Sequence, residues 1–292
     1  MKIWIIWSNW FLWQALLKRF LSRGDCFLYT FNRSAPKEYN VLINSYFWDI
    51  ISNIDSFRNF INHDYDVLIH LWEKPTYDLD YLLSKQLYYN KIIFDSISLS
   101  KGIKTFIYLS SMAVYWSWLD KKESDKLFSL NNYWFVKKIS ERIFLDLIDF
   151  DKKVIIFRPS NLYWVWSNSW VIHNFIGNIN NNKEIKIYWD WNQKREFFYI
   201  EDCVDAIEKS INFESSDIFN ISWNELASLN DLIKMLKGIY HKDIGVVYLP
   251  IDEPCSPQTL SENIEHAKKS LNWEPKTSLL NWLKKTVWKQ SI

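Results

Sequence analysis

Tyr133 and Lys137 stand four residues apart in the run NNYWFVKKISERIF. On a helix that spacing puts both side chains on one face. An ammonium beside a phenol favours the phenolate, so such a pair can take a proton from a hydroxyl and return it. Tyr81 and Lys85 match the spacing equally well, so context has to choose between the two pairs. Ser110-Ser111 close an apolar run ahead of Tyr133, and RPSN follows its helix; Tyr81 and Lys85 lack such neighbours and read as an ordinary helix-surface pair. The histidines (His63, His70, His173, His241 and His266) show no metal-ligand spacing, so no metal site is expected. Cys26, Cys203 and Cys255 lie far apart with no C-x-x-C, which points to free thiols in a reducing, cytoplasmic setting.

The elements that would position this pair alternate. Strand-like apolar runs occur at Lys2–Ile6, Cys26–Phe31, Val41–Tyr46, Asp66–Leu71, Thr105–Leu109 and Val154–Phe157. Helical stretches fall between them at Leu12–Ser22, Ser56–Asn62, Tyr77–Ser100 and Asn132–Leu147. Strands separated by helices of this length form parallel βαβ units, so the fold class is α/β with a doubly wound parallel sheet of the Rossmann kind. The second half is more mixed, with helices near 228–237 and 262–271 and a loop carrying Pro250, Pro254 and Pro257. Residues 1–165 are therefore expected to form a dinucleotide domain that also carries the catalytic residues, completed by about 195–222. Residues 166–292 are expected to supply mainly a smaller mixed α/β substrate lobe.

Tryptophan distorts this picture. Trp4, Trp7, Trp10 and Trp13 recur every third residue from within the first strand onward. Read with glycine at those positions, the segment becomes MKIGIIGSNGFLGQALL, a strand, a G-x-x-G-x-x-G turn and a helix. A pyrophosphate needs that turn, because any Cβ holds the phosphate away from the backbone N–H groups. Composition points the same way: the chain has 5 Gly and 18 Trp, whereas glycine ordinarily supplies roughly 7% of residues. Exchanging Trp4, 7, 10, 13, 48, 72, 116, 118, 134, 164, 166, 170, 189, 191, 223 and 282 for glycine raises Gly from 5 to 21 and lowers Trp from 18 to 2. Both values are then ordinary. Some bacterial codes read the codon UGA as glycine where others read tryptophan, which would produce this exchange. In the chain as written, indoles are expected to project into the cofactor cleft and around the active-site loops rather than pack in one core.

With that substitution in mind, the chain resembles the extended short-chain dehydrogenase/reductase superfamily, in its NAD-dependent epimerase/dehydratase branch acting on nucleotide sugars. The resemblance runs nearly end to end through WSNWFLW (7–13), FWDI (47–50), VLIHL (67–71), FIYLSSMAVYWSW (106–118), YWFVK (133–137), FRPSNLYWVW (157–166), REFFYIEDCVDAI (195–207) and FNISW (219–223). It implies Ser111, Tyr133 and Lys137 as catalytic residues, with Ser111 hydrogen-bonded to the reacting sugar oxygen and Ser110 its bystander. It implies a cofactor site at Trp7, Trp10, Phe11, Leu12, Trp13, Asn32, Arg33, Asp49, Ile50, Leu71 and Lys137. Asp49 would contact adenine or, read plainly, cap the following helix. Asn161 and Arg195 would contact the substrate diphosphate, alongside Ser111 and Tyr133. Dehydratases of this branch carry an Asp-Glu pair directly after the catalytic Ser or Thr. Met112 and Ala113 occupy those places and cannot move protons, which leaves epimerisation or ketosugar reduction.

Cofactor choice turns on the end of the second strand, Phe31-Asn32-Arg33, which has no carboxylate to hold the ribose hydroxyls of NAD. The cofactor is thus NAD(P), with Arg33 favouring NADP(H). The implied partner is a nucleotide sugar, with a homodimer among the assemblies open to it. Balanced charge, +1 from 35 basic and 34 acidic residues, argues against nucleic acid and acidic membranes. Two other readings stay open: a non-catalytic NADP-sensing Rossmann module, and a chain left inactive by tryptophan in its phosphate turn.

Overall fold

The computed structural model describes residues 1–6, 10–32, 43–47, 53–62, 65–71, 76–115, 119–129, 131–164, 171–188, 194–223, 225–249 and 259–290, with backbone alone for 10, 30–32, 43–47 and 288–290. The first half alternates: β1 (Lys2–Ile6), α1 (Trp10–Arg23), β2 (Phe27–Asn32), β3 (Ile43–Phe47), α2 (Ile54–Ile61), β4 (Val67–His70), α3 (Leu79–Tyr81), a π-helical turn Leu82–Gln86, α4 (Leu87–Leu99), β5 (Thr105–Leu109), α5 (Asn132–Leu145) and β6 (Lys153–Pro159). Then follow β7 (Asn161–Tyr163), α6 (Val171–Asn180), β8 (Ile185–Tyr188), β9 (Lys194–Tyr199), α7 (Ile200–Ser210), β10 (Asp217–Ile221), β11 (Leu226–Ser228), α8 (Leu229–Tyr240), β12 (Val246–Leu249), β13 (Thr259–Leu260), α9 (Glu265–Leu271) and α10 (Leu279–Gln290).

Seven strands form one parallel sheet in the order β10-β6-β5-β4-β1-β2-β3. This is the doubly wound architecture expected from the alternation. Strand order reverses between β1 and β4, and ligands of such sheets bind at that switch point, beyond the carboxyl ends of the strands. Side-chain alternation divides the sheet between two cores. Ile3 and Ile5 of β1 join α1, α7 and α9 on one face, while Trp4 and Ile6 join α2, α4 and α5 on the other. A third core packs α6, α8 and α10 over β7, β8 and β9. There β9 is the hub, pairing with β7, β11 and β13, while β12 pairs with β8.

Three of the described tryptophans depart from one expectation, whereas Trp134, Trp164 and Trp223 are half-buried. Trp4, Trp13 and Trp282 are buried, one in each of the three cores, rather than directed into a cleft. Large apolar rings gain most from leaving water. Among the described residues, no helix is long and apolar enough to cross a membrane.

Candidate active site

The expected catalytic pair sits between the end of β5 and the first turns of α5. Asn131 caps α5, its Oδ1 accepting the Trp134 N–H at 2.9 Å, so Tyr133 lies in the first helical turn and is half-buried. One turn on, Lys137 is 4% exposed. Its ammonium donates to the carbonyl of Leu109, the last residue of β5, at 2.8 Å. It also lies 5.0 Å from the ring centre of Tyr108 and 5.9 Å from that of Tyr133. Ser111 follows two residues after Leu109. Its Oγ accepts the Ala113 N–H at 3.2 Å, an arrangement that leaves the hydroxyl hydrogen free to donate to a ligand oxygen. The chain thus brings Ser111, Tyr133 and Lys137 to the carboxyl edge of the parallel sheet. In the rival pair, Lys85 is exposed and lies in the π-helical turn rather than in α-helix.

Behind these residues lies a polar network that the spacing argument missed. Glu141 is the next residue along the Tyr133–Lys137 face, and Arg158 belongs to the FRPSN stretch. Their side chains are 2% and 3% exposed, and Arg158 bonds the carboxylate bidentately, through Nε at 3.0 Å and Nη2 at 2.7 Å. Glu141 also accepts the Ser110 hydroxyl, and Arg158 Nη1 donates to the Tyr115 hydroxyl and to the Glu123 carbonyl. Tyr115 in turn donates to Asn220 Oδ1 at 2.7 Å. Two consecutive turns of α5 are therefore fastened to consecutive residues of the β5 terminus, Lys137 to Leu109 and Glu141 to Ser110. Burial lowers and Glu141 raises the proton affinity of the Arg158 guanidinium, with a net rise, whereas burial pushes the Tyr115 hydroxyl up. Neither group exchanges protons near neutrality. Glu141 was legible as a third member of the i, i+4, i+8 stripe, but nothing in the sequence pairs it with Arg158.

The expected cofactor residues are only partly within view. Leu71 follows β4, is buried, and bonds the Ile6 carbonyl through its N–H at 2.8 Å. Trp10 opens α1, Phe11 is half-buried, and Leu12 and Trp13 are buried in the core. Trp13 therefore offers backbone rather than indole to a ligand. Asn32 ends β2. Trp7, Arg33, Asp49 and Ile50 lie outside the described residues. Asn161 and Arg195 meet through β9. Asn161 pairs with Phe197, two residues from Arg195 and hence on the same face. Asn161 Nδ2 donates to the Glu196 carbonyl at 3.2 Å, and Arg195 Nη1 to the Lys194 carbonyl at 3.1 Å. Burial presses the Arg195 guanidinium below its usual value, a cost that an anion would offset.

The profile of the NAD dependent epimerase/dehydratase family matches residues 13–222. UDP-glucuronate 4-epimerase of Thermodesulfobacterium geofontis (strain OPF15) is 34% identical over 117 residues, which spans 40% of this chain but only 36% of that relative's length. dTDP-4-dehydro-6-deoxyglucose reductase of Escherichia coli is 27% identical over 242 residues, 77% of this chain and 75% of the relative. Among solved structures, UDP-glucuronic acid 4-epimerase from Bacillus cereus, in complex with UDP-glucuronic acid and NAD, superposes with a TM-score of 0.88 at 21% identity over 100% of both chains. That last likeness concerns the fold. Because the family profile spans most of the chain, this protein belongs to the NAD dependent epimerase/dehydratase family, of the extended short-chain dehydrogenase/reductase type.

Proposed function

We propose that the protein is an NAD(P)-dependent nucleotide-sugar epimerase or ketosugar reductase that works through Ser111, Tyr133 and Lys137. The observation that carries this is the buried Lys137 ammonium, held by the Leu109 carbonyl and lying 5.9 Å from the Tyr133 ring centre, beside a Ser111 hydroxyl with its hydrogen to spare. These groups fit a nicotinamide cofactor. The ammonium lies at the sheet's carboxyl edge, and α1 starts close behind β1, where a pyrophosphate would meet a helix N-terminus. Bound NAD(P) supplies the hydride acceptor or donor. The protein's own part is proton handling and positioning. Tyr133 takes the proton from a sugar hydroxyl, or returns it to a carbonyl oxygen, while Lys137 favours the phenolate. Ser111 donates to the same oxygen and fixes its place. Asn161 and Arg195 hold the diphosphate, and residues 166–292 shape the sugar pocket around them. Arg33 and the absence of a carboxylate in Phe31-Asn32-Arg33 support NADP(H) over NAD(H).

The same reading extends to composition. We infer that the working protein carries glycine at the sixteen tryptophan positions named above, because the phosphate turn at 7–13 needs close backbone approach. The test is cofactor oxidation and reduction across a panel of UDP- and dTDP-sugars, with the protein made in both versions. Turnover on one sugar by the glycine version supports the reading. Cofactor binding without turnover on any sugar would favour a sensing module instead.

A further inference from the structure

Two buried carboxylates take no part in the reaction proposed above. Glu196 lies on β9 and Glu262 follows β13, and both are 0% exposed. The Glu262 N–H donates to Glu196 Oε2 at 3.3 Å. Glu196 Oε1 and both carboxylate oxygens of Glu262 have no hydrogen-bond partner among the described residues. Ser222 approaches Glu196 from beyond β10, and Glu123 and Arg158 face Glu262 from the 119–129 segment and β6. Lys121 is bridged to Glu262 through backbone, but its ammonium lies toward Asp125, at 3.6 Å. Arg158 acts on Glu262, and its guanidinium is already shared between Glu141, Tyr115 and Glu123. Two carboxylates this buried, three of whose four oxygens lack a partner among the described residues, cannot both remain ionised, and protonating one of them removes the repulsion.

The pair is connected to the ligand side of β9. Successive residues of a strand face opposite ways, so Glu196 points back toward Glu262 while Arg195 points to the other face. Leu260 of β13 is the register partner of Arg195, and Asn161 donates to the Glu196 carbonyl. We propose that the buried pair Glu196 and Glu262 is held with one carboxyl protonated, and that this protonated pair is a positioning device holding β9 where Arg195 and Asn161 grip a substrate diphosphate. The second half of this rests on the diphosphate reading given above. Burial pushes the Glu196 carboxyl up to about 7, and burial followed by the charge of Glu196 pushes Glu262 well above the carboxylate range. A carboxyl raised on folding stabilises the fold fully below its unfolded value of about 4.3. That contribution is lost as pH climbs through the raised value.

Glu262→Gln is the decisive variant, since an amide keeps the hydrogen-bond donor and never ionises. Two quantities are followed in the full chain between about pH 5 and about pH 9: the thermal midpoint, and the affinity for UDP-glucose, a probe whose diphosphate does not titrate in that window. In the parent the midpoint should fall as pH rises from about 5 through the raised values, affinity should fall about tenfold above about pH 7, and both falls should vanish in Glu262→Gln. Parallel profiles in parent and variant would overturn the proposal, as would a Glu262→Gln midpoint below the parent throughout. If Glu262→Gln does not fold, Glu196→Gln makes the same comparison. Absence of UDP-glucose binding at every pH would overturn the Arg195 half together with the diphosphate reading, and the midpoints would still decide the protonated pair.

Discussion

Arg158→Met, a change of similar length that removes the charge, tests the network behind the proposed catalytic residues. It deletes both bonds to Glu141 and those to Tyr115 and Glu123, and strands a carboxylate whose side chain is 2% exposed. Breaking a buried pair from one side costs about 3–5 kcal/mol, because the partner keeps its desolvation penalty without its counter-charge. Counting two charged hydrogen bonds at about 1.5–3 kcal/mol each gives the same range by another route, so the two figures are not to be added. The Ser110 hydroxyl still donates to Glu141, which places the expectation toward the lower end, near 3 kcal/mol. For a chain of this size that shifts the midpoint by roughly 6–12 °C. The double variant Arg158→Met with Glu141→Leu removes both charges and should recover most of the loss. Urea unfolding of the parent, both single variants and the double gives the coupling energy directly. A loss below about 1 kcal/mol, or a double variant as unstable as the two singles combined, would refute a desolvated, mutually dependent pair.

Tyr133→Phe should fold and bind cofactor while losing turnover by about 10²-fold or more; near-normal turnover in a steady-state assay would remove Tyr133 from the acid-base role. Arg33→Ala should weaken NADP(H) far more than NAD(H), by one charge-assisted contact of roughly 1.5–3 kcal/mol, and equal losses in calorimetry, or a parent that prefers NAD(H), would return Arg33 to a solvated surface role. The version with glycine at the sixteen positions should bind NAD(P)(H) and the version with tryptophan should not, as read by cofactor fluorescence. Tight binding by the tryptophan version, or UGG codons at Trp7, Trp10 and Trp13, would overturn the exchange.

The parallel sheet was legible because its strands are short apolar runs spaced by helices; Lys2–Ile6 and Thr105–Leu109 match β1 and β5 at both ends. The region around β9 was not, because strands of two to six residues carry too little alternation, and their pairing is decided by neighbours distant in sequence. Tyr133 and Lys137 were legible through a helical spacing that Tyr81 and Lys85 share. What separates the pairs is burial, together with the π-helical turn under Lys85, and neither is a property of local sequence. Arg158 and Glu141 escaped for the same reason: an arginine and a glutamate on separate elements look like surface charges until packing excludes water from both.

Tryptophan is where the written sequence and the fold disagree most clearly. Trp273, left outside the sixteen because a tryptophan is unremarkable in LNWEP, is 2% exposed and donates its indole N–H to the Asp202 carbonyl at 3.0 Å. That is how a buried tryptophan normally satisfies its one donor. Trp4 and Trp282, both among the sixteen, are 0% and 1% exposed, and their indole nitrogens have no hydrogen-bond partner among the described residues. Each orphaned donor costs about 1–3 kcal/mol. Trp223 does find Glu225, at 2.7 Å, but at a half-exposed site where water would serve as well. Backbone strain does not mark these positions, since positive φ among the described residues falls on Gly24, Asp120, Asp151, Asn182, His241 and Asn272. The signal is chemical, an N–H buried with nothing to receive it. Changing one such tryptophan alone cannot settle its identity. Emptying the place of Trp282, whose ring lies 4.4 Å from that of Tyr163, would leave a cavity costing about 3–5 kcal/mol whichever residue is native. Only the sixteen exchanged together let the surrounding side chains close on the space, and that is why the comparison of two whole versions carries the decision.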